Sequence, residues 1–215
     1  SSLTVPKFTN FLSEAIDGVN YNFVTTDDYT VNVSGGTASY NNITIKQGLP
    51  TTLSFVVDSI GNPTYTFELP DSDIDTTSIS VTVQSSSSNG SSTVYTLGTD
   101  YLTIDNTSQV YFLQEALNGN YQIYFGNDVV GKKLPDGAVV LISYLVSNGT
   151  AANKANNFVA GASATDSLGE SITRFTIRPV SPATGGASRE SVDEIKFGAT
   201  NQFTTQNRLV TYKDY

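Results

Sequence analysis

From Val19 onward the chain alternates apolar and polar residues with a period of two, and that rhythm admits little besides β-strands. Tyr21 and Phe23 begin it, followed by Tyr29, Val31 and Val33, then Ile43 and Ile45, then Leu53, Phe55 and Val57. Turn formers separate these segments: Thr26-Asp27-Asp28, Ser34-Gly35-Gly36 and Gly61-Asn62-Pro63. Successive side chains on a strand point to opposite faces, so each segment has one face to bury and one to wet. The series resumes with Tyr65, Phe67 and Leu69, then with Ile79, Val81 and Val83, whose neighbours Ser78, Ser80, Thr82 and Gln84 face water. Further strands fall at Val110 to Leu113, Tyr121 to Phe125 and Val139 to Tyr144. The last is apolar at nearly every position, which predicts a central strand covered on both faces. The tract from Ser85 to Ser92 is too polar to bury and reads as a mobile hairpin tip. Small and polar residues from Ser147 to Ser171 suggest a connector, and Arg174 to Ile177 one more strand. No fixed-period repeat is visible, which argues against a solenoid or a propeller.

Composition agrees with this reading. Tyr and Phe number 12 and 11 in 215 residues, enough to build a core and too many for a disordered chain. Charged residues are only 14%, so the wetted surface must come largely from Ser, Thr and Asn, the residues that suit sheet faces and turns. The absence of cysteine excludes disulfides and thiolate chemistry, and the absence of histidine excludes Ser-His-Asp and Cys-His constellations and His-ligated metals within this chain. A net charge of −9, with 11 Lys and Arg spread along the sequence, argues against a nucleic-acid surface. No apolar run approaches the ~20 residues that a membrane-spanning helix needs, and no signal segment is evident.

Helix chemistry is written out in one place only. Ser191 and Glu194 form a capping box, and Val192, Ile195, Ala199 and Phe203 then fall near one face at helical spacing. Gly198 lies inside the stretch at a cost of ~1 kcal/mol relative to Ala, a point for a break or a kink. Thr211 and Asp214 make a second box, opening a helix that Tyr215 cuts off. We therefore expect this chain to be a fragment of something longer. The apolar stripe Val192, Ile195 and Phe203 has two readings: contact with a partner, or packing onto the chain's own sheet.

Three motifs invite chemistry and lack parts of it. Gly126-Asn127-Asp128-Val129-Val130-Gly131-Lys132 matches seven positions of a phosphate-binding loop, but Lys133 has no hydroxyl for magnesium, and Leu134-Pro135-Asp136-Gly137 forbids the helix that would hold phosphate. Asp71, Asp73 and Asp75 alternate like the first half of a calcium-binding EF-hand loop, but Thr76 replaces the required glycine and Thr82 the bidentate glutamate. Asp27 with Asp28, or Glu68 with Asp100, have nothing in sequence to set them across a cleft as a glycosidase pair. We expect no enzyme, no cofactor, no metal and no small-molecule substrate.

The string GGASRESVDEIKF (residues 185–197), followed by TTQNRLV (204–210) and Asp214-Tyr215, resembles the junction motif of the baseplate J-like family. The likeness is closer to the large wedge subunits of T-even-type contractile phage tails. Tyr121 to Asn127, Gly131 to Leu134, Asp136-Gly137, Ser143-Tyr144 and Ser147 to Asn153 are similar to a long segment of those subunits. So are Pro6, Phe8, Phe11, Asp17-Gly18, Tyr21, Phe23 and Asp75 to Ile79 with Val81. The resemblance covers nearly the whole chain. It implies a structural component of the virion's tail baseplate wedge, assembled in the host cytoplasm, which supports ring assembly and coupling to sheath contraction. It also implies a homodimer that contacts other wedge proteins and needs no nucleic acid or membrane.

The expected architecture is mainly β, an antiparallel, sandwich-like body with a short helical segment at the C-terminal end. Its expected parts are an N-terminal β segment over 1–60, a central antiparallel β domain over 61–150, a connector with one strand over 151–187 and a truncated helical segment over 188–215. The rival function is an adhesive β-sandwich module that binds a carbohydrate or a cell surface, which Tyr-rich strands and Asp loops would serve.

Overall fold

The computed structural model describes residues 2–161, 164–166, 171–172 and 176–188. Five short strands come first: β1 (Ser2–Val5), β2 (Asn10–Ser13), β3 (Asn22–Thr25), β4 (Tyr29–Asn32) and β5 (Ile45–Gln47). Seven more follow: β6 (Leu49–Val56), β7 (Thr66–Glu68), β8 (Ile74–Ser86), β9 (Asn89–Leu97), β10 (Val110–Glu115), β11 (Tyr121–Phe125) and β12 (Val139–Val146). A single 3-10 turn at Gly149–Ala152 precedes β13 (Phe158–Ala160), β14 (Ala164–Asp166) and β15 (Ser171–Ile172). The mainly antiparallel β body expected from the alternation is what the chain forms. Only the β9–β10 pair is parallel among the described residues. The expected helix over 188–215 lies outside the described residues, apart from Ser188.

The strands form three sheets, ordered β15-β14-β1-β4, β13-β2-β3-β5 and β6-β12-β8-β9-β10-β11-β7. The two small sheets mix both ends of the sequence: β1 pairs with β4 and β14, and β2 with β3 and β13. Residues 49–146 thus leave the small sheets, build the large sheet alone and return. Departure and return are side by side, because Leu49 pairs with Val146 at the start of the β6–β12 ladder.

The large sheet curls until its outer strands face each other. Phe55 of β6 and Phe67 of β7 stand 5.1 Å apart, although five strands separate them in the ladder order. A strongly twisted sheet that curls this way buries one face without a second sheet. All seven strands feed the core, where Leu69, Val81, Ile123, Val140, Ile142 and Tyr144 are fully buried. Phe125 stands edge-on to Phe67 and Tyr95 at 5.9 and 5.7 Å, the arrangement in which ring edges meet ring faces. Tyr144 brings a hydroxyl into this apolar interior and donates it to Asp71 at 2.6 Å, which meets the requirement that a buried polar group be paired. Burial and the neighbouring Asp71 charge raise the Tyr144 phenol well above its ordinary value.

Two regions add detail to their sequence reading. β12 is flanked by β6 and β8 as expected, but Leu141 and Ser143 on its outer face are only half-buried. Val139 on the same face is buried, so among the described residues that face is only partly covered. The Ser85–Ser92 tract forms the expected hairpin tip, and the ladder runs far into it: β8 reaches Ser86, β9 starts at Asn89, and Ser92 pairs with Gln84. Polarity keeps these side chains from a core but leaves the backbone N–H and C=O groups free to extend the ladder past the body. The tract Ser147–Ser171 also carries β13 and β14, which complete the N-terminal sheets.

Phe125→Ala removes a ring packed between two others in a closed core, and should cost about 3–5 kcal/mol of unfolding free energy. Urea unfolding followed by circular dichroism measures it. A loss below about 1 kcal/mol would mean that the rings do not form the core of the large sheet.

Candidate functional site

The residues between β12 and β13 join the large sheet, the β13-β2-β3-β5 sheet and the segment around Ala183–Gly186. The backbone N–H of Ser147 donates to the Asp73 carbonyl at 2.8 Å, which ties the end of β12 to the loop before β8. Gln47, at the end of β5, then grips the next residues from three directions. Its Oε1 accepts from Asn148 N–H at 2.8 Å and from the Ser147 hydroxyl at 3.0 Å, while its Nε2 donates to Asn148 Oδ1 at 2.7 Å. A glutamine amide suits this post because it offers both a donor and an acceptor. Gly48 makes the geometry possible: its φ is +151°, and a Cβ there would stand 2.9 Å from the Leu145 Cβ. The departure and the return of the large sheet are therefore clamped by one side chain.

The C-terminal segment seats on the same loop. Asn153 Nδ2 donates to the Gly186 carbonyl at 2.8 Å, and Gly186 N–H donates back to Asn153 Oδ1 at 3.0 Å. Lys154 N–H donates to the Ala183 carbonyl, and Ala183 N–H donates to Ala155, both at 2.8 Å. Gly186 lies so close that an added Cβ would meet the Gly149 carbonyl oxygen at 2.3 Å. Beneath it, Ala152 and Ala155 are buried with Phe11 and Phe23, and Phe23 meets Phe158 edge-on at 4.9 Å. Beside the clamp, Lys46 reaches Asp75 Oδ2 at 2.8 Å and the Thr77 hydroxyl at 2.6 Å, linking β5 to β8.

The motifs read for chemistry serve the chain's own loops. Asn127 Oδ1 accepts from Val129 and Val130 N–H, Asp128 Oδ1 from Lys133 N–H, and Gly131 and Lys132 N–H donate to the carbonyls of Asp105 and Ser108. Those amides are turned to protein oxygens, not to a phosphate. A Cβ on Gly126 would lie 2.1 Å from the Gly131 carbonyl carbon, so this pair of glycines is a close backbone crossing. Asp71 holds Tyr144, Asp73 takes the Ser72 hydroxyl, and Asp75 takes Lys46 and Thr77. Asp28 accepts from Lys7 N–H and Asp27 from Thr26, while Asp100 accepts from Leu102 N–H and Glu68 from Asn118 and Asn120. Among the described residues no three His, Cys, Asp or Glu side chains converge as a metal site. Val192, Ile195 and Phe203 lie outside the described residues.

Gln47, Asn148, Asn153 and Gly186 were not singled out by sequence reasoning. The Ser147–Asn153 and Gly185–Ser188 strings carried the family resemblance, yet nothing in either says that they touch. The paired glycines among small residues were the available signal, because close backbone approach favours a residue without a Cβ.

The contacts that stand out among the described residues run from segment to segment and tie the chain's own loops and sheets together. No family model matches the chain. It is similar to the baseplate wedge protein gp6 of Enterobacteria phage T4, with 24% identity over an aligned length of 240 residues that takes in 99% of this chain. The chain spans about a third of that relative's length, 34%.

Two outcomes follow from the clamp. Gly186→Ala forces a Cβ against a backbone oxygen and should destabilise the small sheets by about 1–3 kcal/mol, read as an earlier melt. An unchanged melting temperature would show that the segment does not seat as described. Burial pushes the Asp75 carboxyl up, but the hydrogen bonds from Lys46 and Thr77 and the Lys46 charge outweigh it and hold the group below its ordinary 3.8. A value lower in the folded state adds stability above pH 3.8, which is lost as pH falls through the folded value. With the two side chains 39% and 23% exposed, the pair is worth only about 0.2–1 kcal/mol. Titration of the Asp75 carboxyl by NMR should show this lowered midpoint, and Lys46→Ala should raise it.

Proposed function

We propose that the chain is a structural part of a phage tail baseplate wedge, and that it works by holding neighbours in place, not by catalysis. The observation that carries this reading is the similarity to a baseplate wedge protein, which extends over 99% of the chain and is not confined to one motif. The clamp around Ser147–Asn153, which joins distant segments of the chain, supports it. In the wedge, the chain helps to assemble the ring and to couple it to sheath contraction, as one half of a homodimer that also contacts other wedge proteins. Its location is the virion tail baseplate, reached by assembly in the host cytoplasm.

The proposed contact element is the apolar stripe Val192, Ile195 and Phe203. Gly186 is held by Asn153, so the chain past Ser188 starts from a fixed point beside the clamp. An isolated helix of this length is marginal in water and needs apolar burial from a partner or from the body.

Immunogold labelling of purified virions with antibody to this chain should mark the head-distal end of the tail. Label elsewhere, or on no structural particle, would contradict the reading. In wedge assembly from purified components, Phe203→Ala should weaken association by about 1.5–3 kcal/mol while the melting temperature of the β body stays unchanged. A variant that melts early and assembles normally would place the ring in the chain's own core.

A further inference from the structure

The outer face of the large sheet carries an arrangement that the assembly role does not use. Phe112, although it points away from the core, is only 4% exposed. The loop after β9 folds back over it: Tyr101 stacks on its ring at 5.3 Å with only 2° between the planes, and Gly98 lies so close that a Cβ would meet the ring at 2.7 Å. Tyr124 also stacks on Phe112 at 5.1 Å, and its hydroxyl meets that of Tyr101 at 3.5 Å. Tyr101 is itself 60% exposed, so one face of a rigidly backed ring is open to water.

Register places a second row beside this one. Phe112 pairs with Tyr124 and Tyr124 with Thr66, and two residues along, Gln114 pairs with Gln122 and Gln122 with Glu68. Residues two apart share a face about 7 Å apart, so an aromatic row runs next to an amide and carboxylate row. Glu68 Oε1 takes Asn118 at 2.6 Å and Asn120 at 2.8 Å, which lowers its carboxyl below the ordinary value and keeps it charged. Neither glutamine side chain has a hydrogen-bonding partner among the described residues.

We propose that this face of β10, β11 and β7 binds a neutral oligosaccharide. A sugar ring offers an apolar face of C–H bonds, slightly positive, that suits the negative face of Tyr101. Around its rim it offers hydroxyls that donate and accept, which suits two unengaged amides and a carboxylate with a free oxygen. Glu68 and Asp100 on this side of a chain of net charge −9 repel an anionic glycan, which selects for a neutral one. A protein interface is the weaker fit, because the centres of such interfaces are depleted of Glu and Asp.

The test is NMR titration of the whole chain with maltohexaose and chitotetraose, and with a chondroitin sulfate hexasaccharide as the anionic comparison. A neutral probe should shift the amides of Tyr101, Gln114, Gln122 and Tyr124. Tyr101→Ala and Gln122→Ala should each weaken binding by about tenfold or more, and Tyr101→Phe should keep it. The variants' melting temperatures, read alongside, separate lost contacts from lost folding. The proposal is overturned if neither neutral probe shifts this face at about 10 mM, if the anionic probe binds as well, or if both alanine variants bind like the parent. It is equally overturned if a wedge protein protects this face while no sugar does.

Discussion

Everything else in this chain depends on the Gln47 side chain holding Ser147 and Asn148. The large sheet is an insertion between strands that pair with one another, and an insertion stays attached only where its two ends are fixed together. Here they are fixed by the Leu49–Val146 pairing and by three hydrogen bonds from one amide, across 101 positions of sequence. Each bond contributes about 0.5–1.5 kcal/mol, which is modest beside the apolar core. Its value is in placement: the same loop that Gln47 grips presents Asn153 to Gly186, so the sheets and the C-terminal segment share one reference point.

This arrangement explains how a chain without cysteine holds its shape. The large sheet buries its aromatic face by curling, and the small sheets bury Phe11, Phe23, Leu3 and Val5 in separate clusters. Separate cores joined by hydrogen bonds and one partly exposed ion pair can shift relative to one another at lower cost than a single continuous core. A joint of this kind suits a protein that has to change between two packed arrangements.

The strands were legible because alternation is a local signal. Tyr21 and Phe23, Val81 and Val83, and Tyr121 to Phe125 each declared themselves within a few residues. The pairing of β13 and β14 with the first strands was not legible, since Phe158 and Ala160 look like any small apolar pair until β2 supplies the other half of their core. Ser85 to Ser92 read as a hairpin tip, but side-chain polarity could not show how far backbone pairing runs into it. The clamp was invisible for a similar reason: amides bonded to backbone leave no periodicity. The readings of the chemistry-like motifs rest on single residues, Lys133, Thr76 and Thr82, whose side chains either supply a ligand or do not.

Hydrogen exchange on the amides of Asn148, Lys154, Ala183 and Gly186 tests the clamp most directly, since each is bonded across it. These four should exchange slowly and together, and Gln47→Ala should speed all of them while the amides of β8 and β12 keep their protection. If Ala183 and Gly186 exchange at the rate of free peptide in the parent chain, or if Gln47→Ala leaves the four unchanged, the clamp does not join the sheets and the account fails at its centre.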